Sequence, residues 1–401
     1  MAKKILILSN NSGGGHRQTA QILAQALLNQ GWEPEIISIY REIFPDYFQI
    51  FGIEGEEIYN KLILAKETSH LVYRIFFISA YYLIIQPNRE KFIKRLIDFW
   101  QQKQPALVIS VIPLLNQVIA RSLIESNKQT PFTIIQTDLF EFEARHFLAP
   151  AGTWFVSDDY TYIVVGTETA YQQVLSSYIP DKARVFRLSG NIIDPCFFKK
   201  PEFDRRAERK RLGLDPNQPV GLFLYGGFAP HRLLGLAKRL NQLENTAQFI
   251  FICGQNETLK RRLSSLHTRY KKVVVGYTPE VPYFMHLSDF LIGKSGPGTI
   301  MEGIAADLPL LIDTTHNGIM HELDNIKWIE QHGFGLPFSN PAQLLCRIQQ
   351  LTSSEVYDLL KMNVSRYENR AVLEIPKTIE TIMAHFYGTR LNVSFPSVEM
   401  P

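Results

Sequence analysis

The chain has 401 residues, enough for two domains of ordinary size. With 45% hydrophobic and 20% charged residues it is composed like a folded globular protein, which excludes disorder over most of its length. Lys and Arg total 42 against 39 Asp and Glu, a net charge of +3 that is too balanced to point to nucleic acid, so no such partner is expected.

In chain order, KILIL (4–8) predicts a first strand. It runs into SNNSGGGHRQTAQILAQALLNQG, where Ile22, Leu23, Ala26 and Leu27 share one helical face and Gly31 marks a stop. EIISI (35–39), ALVISVI (106–112), FTIIQT (132–137), YIVVG (162–166) and RVFRLSG (184–190) follow as short apolar strands. Uniformly apolar strands separated by helices imply a parallel sheet covered on both faces. The basic stretch 199–219 reads as a linker entering an exposed helix, its charges on a solvated face.

A second series then starts: VGLFLYGG (220–227), AQFIFICG (247–254), KVVVGY (272–277), DFLIGKSG (289–296) and LPLLID (308–313). The expected architecture is α/β, two Rossmann-like domains over 1–195 and 196–390 facing each other across a cleft, with a tail at 391–401. Ligands of such sheets bind at the carboxyl ends of the strands. Cys196, Cys253 and Cys346 are far apart and lack metal-ligand spacing, which suits a reduced, cytoplasmic protein. The start MAKKILILSN does not read as a signal peptide, and the apolar run Leu71–Ile85 is too short to span a bilayer. His316 and His321 do not match zinc spacing, so no metal is expected.

Four motifs lie just after strands. Gly13, Gly14, Gly15 and His16 open the first helix, whose N-terminus suits an anion or a developing oxyanion. A near-neutral histidine there is a candidate general base. Thr137-Asp138 ends the strand FTIIQ and offers a carboxylate facing the cleft or a helix or turn cap. Ser295, Gly296, Pro297, Gly298 and Thr299 lead into a helix carrying Glu302. The loop amides suit a diphosphate and the carboxylate a ribose diol, although Thr299–Glu302 also has the spacing of a capping box. His321, Glu322 and Asn325 follow LPLLID and could bond sugar hydroxyls.

In this order the motifs resemble the lipid glycosyltransferases that add a hexose to diacylglycerol: monogalactosyldiacylglycerol synthases and processive diacylglycerol glucosyltransferases, relatives of MurG with the GT-B fold. The resemblance covers roughly 3–390, and GPGT…E and E-x-x-N are its more specific parts. It implies inverting transfer from a UDP-sugar to a lipid hydroxyl, with no cofactor beyond the donor substrate. Gly226 and Gly227 would face the donor diphosphate and Gly276 and Tyr277 the uracil. Ser295 to Thr299 would hold the diphosphate and Glu302 the ribose. Glu322 and Asn325 would hold the hexose, with His321 where the family usually has Gln. His16 would be the base, or Asp138 in its place or orienting it. UDP-galactose and UDP-glucose both remain open as donors.

The chain departs from the family pattern in a shorter glycine loop, YGGFAPHR, and after Asp138, where a histidine and a tryptophan are displaced downstream to His146 and Trp154. An N-acetylhexosamine transferase of MurG type, or a non-catalytic nucleotide-sugar or lipid binder, keeps the same fold. The segment 44–104 exceeds what a Rossmann unit requires. Its Lys91, Lys94 and Arg95 among Phe92, Phe99 and Trp100 predict peripheral contact with an anionic membrane.

Overall fold

Short apolar strands form two separate parallel sheets in the computed structural model. It describes residues 4–10, 15–47, 49–50, 53–54, 80–126, 130–140, 154–156, 158, 160–177, 181–199, 201–227, 229–243, 247–314 and 323–391. The chain divides into two units, one built on Met1–Glu56, Ile78–Ile192 and Arg370–Pro401, the other on Ile193–Asn369.

The first unit holds β1 (Lys4–Ser9), β2 (Glu33–Ser38), β3 (Leu107–Ser110), β4 (Phe132–Ile135), β5 (Thr161–Val165) and β6 (Val185–Arg187), in the order β2-β1-β3-β4-β5-β6. All five pairings are parallel. Ile5 to Leu8 of β1 are each 0% exposed, which explains why the strand lacks polar alternation: helices cover both faces. Besides α1 (Gly15–Leu28), the unit holds α2 (Arg89–Lys103), α3 (Asn116–Glu125) and α4 (Glu168–Ser177). Leu6, Leu8, Val108 and Ile134 pack with Phe92, Ile93, Leu96 and Trp100 of α2 and with Val118 and Ile119 of α3.

Phe92 and Trp100 are therefore core residues, and the Trp100 indole N–H donates to Ser122 at 2.9 Å. This corrects the reading of α2 as a mixed basic-aromatic interface. Its burial repeats at helical spacing, and only the opposite face carries the exposed Lys91 and Lys94. Arg95 pairs with Asp46 at 3.0 Å. The apolar segment at 71–79 lies outside the described residues.

The second unit holds β7 (Val220–Leu224), β8 (Gln248–Ile252), β9 (Lys272–Val275), β10 (Phe290–Gly293), β11 (Leu310–Asp313) and β12 (Gly335–Phe338), in the order β9-β8-β7-β10-β11-β12. This is the dinucleotide-fold order, whose direction reverses between β7 and β10. There Leu224 pairs with Gly293. A Cβ on Gly293 would stand 2.5 Å from the Leu224 carbonyl oxygen, so the close approach requires glycine. Phe223, Phe249, Phe251 and Phe290 fill the sheet's core, with Phe223 and Phe251 stacked at 4.8 Å.

The unit's helices are α5 (Arg205–Arg211), α6 (Leu233–Arg239), α7 (Glu257–Ser264), α8 (Val281–Leu287), α9 (Pro297–Ala305), α10 (Leu323–His332), α11 (Pro341–Thr352) and α12 (Ser354–Arg366). The basic helix α5 is not a solvated face throughout. Arg209 is 5% exposed, pairs with Asp289 at 2.6 Å and donates to the Leu287 carbonyl at 2.9 Å. Arg205 reaches the same carboxylate at 2.8 Å. Asp289 also accepts the Val220 N–H at 2.8 Å, so the pair staples α5 to the start of β7.

The C-terminal helix Ala371–Leu391 groups with the first unit and not with the second half in which the sequence reading placed it. Its buried stripe, Ala371, Val372, Ile375, Ile379, Ile382 and Phe386, has helical spacing. Its Glu374 accepts the Ser189 N–H at 2.8 Å, and its His385 ring nitrogen meets the Tyr162 hydroxyl at 2.8 Å. Those partners, far away in sequence, decide where the helix packs.

Candidate active site

In the first unit the strand order reverses between β1 and β3, and His16 sits there as the second residue of α1. Gly13 and Gly14 lie outside the described residues; Gly15 opens the helix with no heavy atom within 4 Å of where a Cβ would be. The His16 Nδ1 lies 3.1 Å from the Thr137 hydroxyl, just past β4. The ring also bonds the main chain of Val111, just past β3. One imidazole thus gathers three strand ends. Burial lowers its pKa from 6.5 to about 4, against the Val111 bond, which favours the charged form. The ring is therefore neutral at pH 7, with Nδ1 facing a hydroxyl.

Asp138 follows Thr137 and accepts the indole N–H of Trp154 at 2.9 Å. The Trp154 ring lies 5.9 Å from that of His16, tilted by 52°. Trp154 is fully buried, and its carbonyl accepts the Asn116 amide at 2.8 Å; the Asn116 oxygen accepts the Ser110 hydroxyl at 2.6 Å. The tryptophan that looked displaced in the sequence therefore returns to stand between Asp138 and His16. His146 lies outside the described residues. Asn191 donates to the Thr137 carbonyl at 2.6 Å and so fixes the turn that carries both Thr137 and Asp138.

In the second unit the end of β7 continues as Tyr225, Gly226 and Gly227. Gly226 has φ of +82°, the left-handed region that favours glycine. The loop is tied to the end of β8: Gln255 N–H donates to the Gly227 carbonyl at 2.9 Å and the Asn256 amide to the Ala229 carbonyl at 2.8 Å. Beyond β10, Gly296 is the N-cap of α9 and Pro297 its first residue, without a side-chain cap. Thr299 thus lies inside the first turn, and the capping-box reading of Thr299 and Glu302 is corrected. Proline at the first helical position, with its fixed φ, starts the helix three residues before a Thr299 cap would. The first-turn amides keep their anion-binding character.

Gly298 is exposed and Glu302, one turn on, is half-buried. Asn325 of α10 is 3% exposed and donates to the Ser295 carbonyl at 2.8 Å, holding this loop from beneath. Gly226, Gly227, Ser295 to Thr299 and Glu302 therefore share the end where the strand order reverses.

Tyr277 stands apart, past the edge strand β9, with its ring 69% exposed. Next to it, a Cβ on Gly276 would meet the Glu257 and Lys260 side chains at 3.1 Å. His321 and Glu322 lie outside the described residues. The sequence reading did not assign Asp313, which accepts the Tyr225 hydroxyl at 2.6 Å and pairs with Arg232 at 2.8 Å. All three residues stood in quoted segments, but no local pattern joins positions 88 apart. Among the described residues no cluster of His, Cys, Asp and Glu could hold a metal, and no helix is long and apolar enough to cross a membrane.

Residues 231–351 match the glycosyltransferase family 28 C-terminal domain. Over 357 residues the chain is 28% identical to monogalactosyldiacylglycerol synthase 1, chloroplastic, of Arabidopsis thaliana, covering 85% of this chain and 63% of that protein. It thus spans less than two thirds of that relative's length. Over 390 residues it is 24% identical to the processive diacylglycerol beta-glucosyltransferase of Bacillus pumilus, covering 93% of this chain and 94% of that one. Among solved structures, MurG of Acinetobacter baumannii aligns with a TM-score of 0.60 at 13% identity over 94% of this chain and 99% of its own, which shows the GT-B fold. Residues 231–351 are thus similar to a glycosyltransferase family 28 C-terminal domain, the fold is MurG-like, and the proteins similar to the chain over most of its length include monogalactosyldiacylglycerol synthases and a diacylglycerol glucosyltransferase.

Proposed function

We propose that the chain is an inverting, metal-independent glycosyltransferase that moves a hexose from UDP-galactose or UDP-glucose to the hydroxyl of diacylglycerol. The observation that carries this reading is the end of β7 and β10. Two glycines without side chains, an uncapped helix start and a carboxylate one turn in make a surface suited to an anionic nucleotide.

In this reading the diphosphate lies against the first-turn amides of α9 and the Gly226–Gly227 turn. Glu302 accepts both ribose hydroxyls, and the exposed Tyr277 ring with Gly276 takes the uracil. Glu322 contacts the hexose with His321 beside it, whereas Asn325, expected to hold the hexose too, is buried with its amide on the Ser295 carbonyl and keeps that loop in shape. The first unit supplies the base. In this reading the acceptor hydroxyl takes the place of the Thr137 hydroxyl, 3.1 Å from the His16 Nδ1, and gives its proton to the neutral imidazole. Asp138, oriented by Trp154, is the second carboxyl-end group available to that acceptor. Attack on the anomeric carbon breaks its bond to UDP and inverts the configuration. The leaving charge falls on amides and the helix dipole.

A lipid acceptor implies a protein at the bilayer surface. The exposed Lys91 and Lys94, and Leu83 at 72% exposure just before α2, support peripheral contact with anionic lipid. The test is a screen of UDP-galactose, UDP-glucose and UDP-N-acetylglucosamine against diacylglycerol and polyprenyl-linked acceptors, with mass analysis of products. Hexosyl-diacylglycerol is the expected product. N-acetylhexosaminyl product on the polyprenyl acceptor alone replaces this reading with the MurG-type one. Donor binding without any transfer replaces it with a non-catalytic binder.

A further inference from the structure

Asp313 ends β11 with its side chain 0% exposed, yet a carboxylate sealed in a sheet is costly unless it is paired. Two of its partners come from the segment that follows β7. The Tyr225 hydroxyl donates at 2.6 Å and an Arg232 Nη pairs at 2.8 Å, with the guanidinium 5.6 Å from the Tyr225 ring centre. Burial, then the Asp313 charge, holds the Tyr225 phenol well above its ordinary pKa, so it remains a donor.

β10 lies between β7 and β11, and Gly293 pairs with Leu224 on one side and Ile312 on the other. The next residues, Tyr225, Lys294 and Asp313, therefore form one row at the carboxyl edge. The cluster bridges over the strand whose end leads into α9. The loop's other flank is already bonded to the end of β8 through Gly227 and Ala229. Arg232 immediately precedes α6, and its side chain is 24% exposed while its carboxylate partner is sealed.

A purely structural demand at this place could be met by apolar side chains at less cost. An arginine whose Nη2 meets a buried carboxylate, with Nε and Nη2 both sealed from solvent, is instead a cation of fixed direction. We infer that Asp313 and Tyr225 are positioning residues that hold Arg232 as a fixed cation for the diphosphate of the donor. The inference rests on the UDP-sugar reading above.

Calorimetry of UDP and of uridine tests it, because uridine lacks the phosphates. Arg232→Gln should weaken UDP binding by about tenfold or more while uridine changes by less than about twofold. Arg232→Lys, which keeps the charge but not the fork, should fall between the wild type and Arg232→Gln. Tyr225→Phe, which keeps the packing and removes one hydrogen bond to Asp313, should weaken UDP by about threefold to tenfold and leave uridine unchanged. UDP and uridine weakening in the same proportion, or neither changing in a folded Arg232→Gln protein, would overturn the inference alone. A wild-type protein that binds no UDP overturns it together with the reading it rests on.

Discussion

His16 ties structure to chemistry most sharply, because its burial and its proposed role make one shared demand: a neutral ring. Its pKa is about 4 in the folded chain against an ordinary 6.5. Between those values the unfolded chain takes up a proton that the folded chain refuses. Folded stability is therefore full above about pH 6.5, falls as the pH drops, and levels near 4. At about 1.4 kcal/mol per unit the loss is on the order of 3 kcal/mol, an upper figure because the ring keeps some contact with solvent.

His16→Gln is the apt perturbation. Its amide can still meet the Thr137 hydroxyl, but it cannot titrate. The variant should fold, lose the histidine-specific part of the acid sensitivity, and drop in kcat by about 10²–10⁴-fold. Carbon-labelled histidine NMR of both proteins identifies the His16 signal by its absence from the variant. The signal should titrate near pH 4, and kcat/KM of the wild type should rise through the same pH and stay flat from about 5.5 to 8. A His16 signal titrating near 6.5 would falsify the burial argument. Normal turnover by His16→Gln would transfer the base role to Asp138, which Asp138→Asn then checks.

Other outcomes follow from single contacts. Glu302→Ala should weaken UDP binding at least about tenfold in calorimetry, since charge-assisted hydrogen bonds contribute about 1.5–3 kcal/mol each; unchanged affinity would make it an ordinary helix residue. Arg209→Ala leaves the Asp289 carboxylate without one of its cations and should destabilise the second unit by about 3–5 kcal/mol in denaturant titration, and an unchanged midpoint would refute the staple. Trp154→Phe removes a donor from Asp138 and should cost about 1–2 kcal/mol of stability while lowering turnover; full activity would detach Trp154 from the site. Co-sedimentation with liposomes should need anionic lipid and weaken with salt, whereas equal binding to neutral liposomes at high salt would contradict the role given to Lys91 and Lys94.

Both sheets were legible because their signal is local. Ile5 to Leu8, or Phe249 to Ile252, are apolar without alternation only when helices cover both faces. The motifs at strand ends were legible for the same reason: a turn residue, a glycine run and a helix start sit within a few positions. Contacts between distant segments were not. Nothing near Arg209 announces Asp289, and nothing near Asp138 announces that Trp154 comes back to it. In α2 the positions 92, 93, 96 and 100 have the spacing of a buried stripe, so its aromatics belong to the core and only the lysines of the opposite face are left for a membrane. At α9 the capping-box spacing points to Thr299 as the cap, but proline is favoured at the first position of a helix and the helix starts at Pro297.

The central claim is transfer of a hexose to diacylglycerol, and the most direct measurement is UDP formed from UDP-galactose or UDP-glucose in lipid micelles with and without diacylglycerol. UDP should appear with one of these donors only when diacylglycerol is present, matched mole for mole by a new glycolipid. UDP formed at equal rates without the acceptor, or no UDP from either donor in a protein that binds it, would contradict the account.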